Sequence, residues 1–485
     1  MSTLLELFSQ AVTLQQAGRH GQAARLYRRL LAHVPDHPAI LANLAVAEAE
    51  GHNLGGALLL LERALRTDPT LAQARKHRGS LLLRAKNLAI IHYNAQRMPE
   101  ALQAIRLTIR FGDDTPQTRA VYARLLGEVG DVQGAAAEYD ALFAALRSPA
   151  SEDGAPQLDP TAGDTLGAVW NDVLLLGWSS HLLLGDLPSA DRYARKTPPF
   201  TLSDRPIWDG VPRPGARILY ALDMAFGDAF QYVRQVAILK SLGMTTIVVC
   251  NRKLVRLLAR CPFIDQLVAS GEAMPEHDAW LLSSRHGERV SAHDSTGITF
   301  PYIQAEPALT AAWAARLGAS GRLRIATNLS ASSPLRDLPI SVLEELGGLD
   351  GVEILDITKS GTALAALRSG PLPPGVSHIG DALDTGPDAF VETAALLEAV
   401  DLVITTDTSI AHLAGALGRP VWVFLRLMAD CRWGPPGQPA CHYPTMRLFR
   451  QTIPGSWADV LYRMKRDLVV MIENKAGGGL RRPPA

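Results

Sequence analysis

Over the first third of the chain apolar residues recur at the three-to-four spacing of amphipathic helices, and the pattern returns after a fixed interval. When "QAARLYRRLLAHVPDHP" is laid over "GALLLLERALRTDPTLA", Ala23, Tyr27, Leu30 and Pro35 fall on Ala57, Leu61, Ala64 and Pro69, each 34 residues on. Leu7 and Ala11 fall on Leu41 and Ala45 in the same register, although Leu14 meets Glu48. Small residues at Ala11, Ala23, Ala45 and Ala57 let helices approach closely, and the larger apolar residues fill the space between them. A third unit carries Ala101 and Ile105 behind about ten extra residues near "NLAIIHYNAQ", which should lengthen a helix or bulge a turn. A fourth has Tyr122, Ala123, Leu126, Gly130, Ala135 and Tyr139.

Paired helices repeating every 34 residues have the tetratricopeptide period, so residues 1–146 read as an α-solenoid. Such arrays present an extended surface to a polypeptide and seldom do chemistry themselves. The stretch "RSPASEDGAPQLDPTAGD" turns to Pro, Gly, Ser and Asp, the composition of a flexible link. "LGAVWNDVLLLGWSSHLLLGDLPSADRYARK" then restores helical spacing, so residues 147–205 read as a linker and a capping helix pair.

Beyond this point the period changes. "RILYAL", "TTIVVC", "DQLVA" and "DAWLLS" read as strands separated by helical segments, and a second series follows in "RIATNLS", "VEILDI", "DLVITT" and "PVWVFL". Alternation of this kind implies parallel sheets with right-handed crossovers. The fold class is therefore α plus α/β: a solenoid followed by two Rossmann-like lobes, 206–320 and 321–476, with a break near "ARLGASGRLR" and a disordered tail at 477–485. Ligands of such sheets bind beyond the carboxyl ends of the strands, so two facing lobes make a cleft.

Composition narrows the classes. Lys and Arg number 48 and so do Asp and Glu, which leaves no overall field for nucleic acid or an anionic membrane. The four cysteines, Cys250, Cys261, Cys431 and Cys441, lack C-x-x-C spacing, which argues against a structural zinc and fits a reducing cytoplasm. "MSTLLELFSQAVTLQQAGRH" does not read as a secretory signal, and "LGGALLLLERAL" is broken by Glu62 and Arg63 well short of a span. The expectation is a cytoplasmic protein with no membrane span, no nucleic-acid partner and no metal.

Candidate chemistry sits at two turns. In "TTDTSIAHLAGALGRPVW", Asp407, Thr408 and Ser409 follow a strand and can cap the next helix, whose amides and dipole suit a phosphate or diphosphate. His412 lies one turn further and could donate a hydrogen bond to a phosphate or ribose oxygen. Gly415 and Gly418 permit close approach of helix and strand. In "ALDMAFGDAFQYVRQ", Gly227 and Asp228 end the first strand and Gln231 follows on a helix. Asp228 is placed as a general base, with Asp223 the competing candidate. No GxGxxG follows a strand, and neither a phosphate loop of the G-x-x-x-x-G-K-[ST] type nor a G-x-S-x-G elbow occurs, so no nicotinamide or flavin cofactor is expected.

The stretch "DTSIAHLAGALGRPVW" resembles the nucleotide-sugar signature of heptosyltransferase-like glycosyltransferases of the GT-B fold. With "LLLGDL", "PIWDG", "ILYALDMAFGDAFQYVRQ", "DITKSG", "DCRW" and "YPTMRLFRQTIPGSWADV" in order, the chain most resembles the bacterial group that fuses tetratricopeptide repeats to such a module, related in architecture to O-GlcNAc transferase. The resemblance implies sugar transfer from a nucleoside-diphosphate donor held by the second lobe, without a metal or bound cofactor. It places Asp407, Thr408, Ser409 and His412 on the donor, Lys359 and Arg336 on its phosphates, Asp228 as base and Arg432 in the cleft. It also implies a protein acceptor presented by the repeats, modified on Ser or Thr; some repeat-fused relatives act on flagellin. This chain departs from the pattern at Ala225, where the family has glycine, at the shortened "NLSASSPLRDLPIS", and at Cys431. The departures keep a non-catalytic scaffold in view as an alternative, and a lipid or polysaccharide acceptor is a second.

Overall fold

The computed structural model describes residues 3–146, 165–194, 202–284, 298–434, 437 and 442–476. The expected link at 147–164 and tail at 477–485 lie outside the described residues. Two compact units, Met1–Thr197 and Pro198–Ala485, divide the chain.

In the first unit eight helices form four successive pairs: Leu4–Gln16 with His20–His33, Pro38–Glu50 with Leu54–Thr67, Ala72–Asn94 with Met98–Arg110, and Pro116–Glu128 with Val132–Leu146. The matched positions are the packed ones: Ala11, Ala23, Leu41, Ala45, Ala57 and Leu61 have no exposed surface. Thr3 and Glu6 close the first helix with a reciprocal capping box, and Asn53 caps the fourth by accepting from Gly56 N. The extra residues of the third unit lengthen a helix, Ala72–Asn94, to 23 residues. Leu83, Ile90 and Ile91 on that helix are each more than half exposed. It carries Arg75, Lys76, Arg78, Arg84 and Lys86 and no acidic residue. A further pair, Thr165–Leu184 and Leu187–Ala194, forms where helical spacing resumes. Gly177 is required there, because a Cβ would come within 2.3 Å of the Tyr193 ring.

The second unit holds two parallel sheets. In the first, β1 (Arg217–Ala221), β2 (Thr245–Cys250), β3 (Gln266–Ala269) and β4 (Ala279–Leu282) lie in the order β3-β2-β1-β4. In the second, β5 (Leu323–Asn328), β6 (Val352–Asp356), β7 (Val376–His378), β8 (Leu402–Thr406), β9 (Val421–Leu425) and β10 (Met446–Arg450) lie in the order β10-β9-β8-β5-β6-β7. The order reverses at β5/β8, which is the switch point where such sheets bind ligands. All eight expected strands form, and β7 and β10 are additional.

One apolar core runs from the first lobe into the second, joining Phe230, Val233 and Tyr302 to Ala411, Leu413, Trp433 and Tyr443. The connecting segment crosses early: Tyr302 N donates to Ala416 O, and Thr310 Oγ1 on helix Pro307–Leu317 bonds Glu398 Oε2 at 3.2 Å. Helix Ala458–Ala476 covers the second sheet, with Val460, Met464 and Leu468 fully buried. Among the described residues no helix is long and apolar enough to cross a membrane.

Candidate functional site

A cavity of about 730 Å³ opens at the carboxyl ends of the strands between the two lobes of the second unit. The first lobe contributes Gly227, Asp228 and Lys253, and the second contributes Arg336, Lys359, Asp407 to Ile410, His412, Asp430 and Arg432. The size is that of a small-molecule site.

Its floor is the N-terminus of helix Ser409–Ala416. The sequence suggested side-chain capping there, and the structure corrects this. Thr408 occupies the cap position with no side-chain cap bond. Its hydroxyl instead meets Thr405 Oγ1 at 3.1 Å and Asn328 Nδ2 at 3.4 Å. Ala411 N donates to Thr408 O, so the amides of Ser409 and Ile410, which line the cavity, are the first-turn donors offered to an anion. Arg336, from the shortened loop after β5, donates to Asp407 O at 3.1 Å and Asp407 Oδ2 at 3.2 Å and so sets a cation at the mouth of this turn. Burial raises the Asp407 carboxyl above its usual range, against the lowering by Arg336. Lys359 donates to Leu383 O and lies 3.6 Å from Asp384 Oδ2.

His412 is buried, its Nδ1 2.9 Å from Tyr443 Oη and its ring stacked on Trp433 with centroids 5.0 Å apart. Burial, reinforced by Arg432, pushes His412 well below the usual histidine value. Burial and Arg234 lower His442 to about 4. Both stay neutral in the fold where the unfolded chain takes up protons, so the stability they contribute is present above pH ~6.5 and is lost as pH falls below it. Each fully buried histidine contributes a slope of at most about 1.4 kcal/mol per pH unit, less for the partly exposed His442. Denaturant unfolding between pH 7 and 5 should show a shallower loss in His412→Gln than in the parent; equal slopes would remove His412 from this role.

Opposite the helix terminus stands Asp228, on helix Phe226–Tyr232 and 7% exposed. It is not a helix cap, since Ala225 holds that position. Ala225 has φ −65° and ψ 166°, open to any residue, so the missing glycine introduces no strain. Gly227 is needed for another reason: a Cβ there would lie 3.0 Å from His412 Cδ2 and 3.4 Å from Ser409 Cα. Asp228 is ion-paired with Arg432, which also meets Gln231 Oε1 at 3.4 Å. Asp223, the competing candidate, is exposed and turned away, bonded to Ser283 Oγ, Ser284 N and Ser284 Oγ at the end of β4.

Residues 8–72 match the tetratricopeptide repeat, and residues 385–434 match glycosyltransferase family 9 (heptosyltransferase). One chain thus carries both a tetratricopeptide-repeat match and a glycosyltransferase family 9 match. Among solved structures it is similar to the glycosyl transferase family 9 protein of Veillonella parvula (13% identity, 53% of this chain and 91% of that one, TM-score 0.38). It is also similar to E. coli ADP-heptose LPS heptosyltransferase II (15% identity, 53% and 99%, TM-score 0.39). A mutant O-GlcNAc transferase of Thermobaculum terrenum matches over 98% of this chain and 93% of that one, at 14% identity and TM-score 0.30. No curated protein sequence matches.

The second unit brings together Asp228, Gly227, Arg336, Lys359, Asp407, Thr408, Ser409, His412 and Arg432 on one cavity, and leaves Asp223 outside it. Gln231 is buried behind the wall against Arg432. Arg419, a further cation of the same motif, bonds Val400 O beyond the other end of the helix and does not line the cavity. Sequence reasoning missed Lys253 and the wall Gly386 to Phe390. Phe390 takes φ +65° as it leads into helix Val391–Glu398, and it packs edge-on against Phe226 and Phe230. A left-handed phenylalanine gives no sequence signal of its own; "TGP" upstream was the only turn cue. Among the described residues no group of three His, Cys, Asp or Glu is placed to hold a metal.

Proposed function

We propose that the second unit transfers a sugar from a nucleoside-diphosphate donor to a serine or threonine hydroxyl of a protein held by the repeats. The observation that carries this reading is the helix terminus at Thr408, free of a side-chain cap, on a cavity that Arg336, Lys359 and Arg432 also line, with Asp228, the carboxylate that the first lobe contributes, on the other side. The leaving group of such a reaction is a nucleoside diphosphate. The amides at the helix terminus are held in place before its phosphates arrive, so their stabilisation of the departing charge costs no reorganisation. Asp228 takes the acceptor's hydroxyl proton, the oxygen bonds the anomeric carbon, and the bond from that carbon to the phosphate oxygen breaks with its electron pair leaving on the diphosphate. The repeats support a polypeptide acceptor, and the lengthened helix Ala72–Asn94, with exposed Leu83 and Ile90, is a surface for one.

The test is thermal-shift titration with UDP, GDP, ADP and CMP. A ligand at a hundred times its dissociation constant raises apparent stability by about 2.7 kcal/mol. One nucleoside diphosphate should shift the parent protein and shift Asp407→Ala less. No shift with any of the four at millimolar concentration would sink the donor-site reading. Intact-mass analysis of a co-expressed acceptor should then show added hexose-scale mass on protein, and its appearance on lipid alone would reject the protein acceptor.

A further inference from the structure

The carboxylate best placed to accept the acceptor's proton is already engaged. Arg432 Nη1 bonds Asp228 and approaches Gln231, both from the first lobe. The same guanidinium forks onto Asp430 of its own lobe, with Nε 3.0 Å from Oδ1 and Nη2 3.3 Å from Oδ2. Burial works against its charge, but Asp430 and Asp228 together raise its pKa and keep it a cation. One guanidinium thus answers two carboxylates across the lobes, in a cavity it shares with the terminus at Ser409. Asp228 Oδ1 already accepts from Arg432 Nη1, so that oxygen is not open to a hydroxyl proton while the arginine stays. A diphosphate at Ser409 would bring negative charge into the same enclosed space, with oxygens suited to the planar fork of an arginine.

We infer that Arg432 is an exchange partner: in the empty cavity it holds Asp228, and a bound nucleoside diphosphate draws it away and releases the carboxylate to act as base. The inference rests on reading the cavity as a nucleoside-diphosphate site. It makes the base available only when the donor is seated, so donor binding precedes deprotonation of the acceptor. It also accounts for both landmark turns facing each other: the aspartate of Gly227-Asp228 and the arginine of Asp430-Cys431-Arg432-Trp433 meet although 204 residues separate them.

Competition has a signature that does not need turnover. If Asp228 and the diphosphate compete for Arg432, Asp228→Asn binds the diphosphate more tightly, by about 3–10-fold, as contacting groups couple by 0.5–3 kcal/mol. Arg432→Gln binds it more weakly, and adding Asp228→Asn to Arg432→Gln gives no further gain. Calorimetric titration of all four proteins with UDP, GDP or ADP, whichever the parent binds, makes the measurement. Arg432→Lys, which keeps the charge without the fork, replaces the glutamine variant should that one fail to fold. Unchanged affinity in Asp228→Asn, or the same gain in the presence and absence of Arg432, overturns the exchange and leaves the donor site standing. Failure of every nucleoside diphosphate to bind the parent overturns both.

Discussion

Asp228→Asn is expected to lower sugar transfer by about 10²–10⁴-fold, the range ascribed to a positioned general base, while the protein folds and still binds nucleotide. Asparagine keeps the shape of the side chain and can still meet Arg432, but it cannot take a proton. The effect should therefore fall on turnover, measured as release of nucleoside diphosphate or as added mass on the acceptor. Asp223→Asn is the control. Its carboxylate is spent on Ser283 and Ser284 outside the cavity, so its loss should disturb the end of β4 and leave turnover within a few-fold of the parent. If the two variants exchange these outcomes, the base is Asp223 and the cavity is used from another side.

The choice between these two aspartates shows where sequence reasoning stops. Both follow the first strand within six residues, and nothing in composition or spacing separates them. What separates them is the position of β4, which presents two serines to Asp223, and the approach of Arg432 from the other lobe to Asp228. Neither neighbour is local in sequence. The repeats were legible because each packs against the next at a fixed interval, and the same small residues recur at the same contacts. Eight strands were legible as short apolar runs, most of them largely buried, with β3 the more exposed exception. β10 was not, because Arg447 and Arg450 break "MRLFR" into apolar pieces too short to read as a strand. Arg447 there lies over the Phe449 and Trp422 rings, and Arg450 is buried against the carbonyls of Leu427, Trp433 and Gly434. An arginine that serves a loop reads in sequence as an exposed residue. The motif at Asp407 gave the right turn and the right helix but the wrong account of Thr408, since which hydroxyl caps a helix depends on partners such as Asn328 that come from another strand.

The second large effect concerns Gly415, three residues beyond His412, which the sequence marked only as a point of close approach. Its role is distinct from that of Gly418, whose φ of +66° ends the helix while Arg419 N donates to Ala414 O. Gly415 is helical, and a side chain there would ordinarily stabilise, since glycine costs a helix interior about 1 kcal/mol against alanine. Here a Cβ would fall 2.5 Å from both Cγ and Cδ1 of Tyr443. The contact is with the root of the ring, so rotation about Cβ–Cγ does not relieve it, and rotation about Cα–Cβ would have to swing the whole ring. The ring is buried between Phe300 and His412 and has no free space to enter. Gly415→Val should therefore destabilise the second unit by about 3 kcal/mol, the upper part of the range for overpacking a filled core. Pushing Tyr443 aside also breaks its bond to His412 Nδ1 and disturbs the stack on Trp433, beside the turn that carries Arg432. Nucleotide affinity should fall in the same variant, measured under conditions where it remains folded. Denaturant unfolding and calorimetry separate the two effects. A variant as stable as the parent would mean that Tyr443 can repack, and the glycine would then owe its place to nothing in this contact.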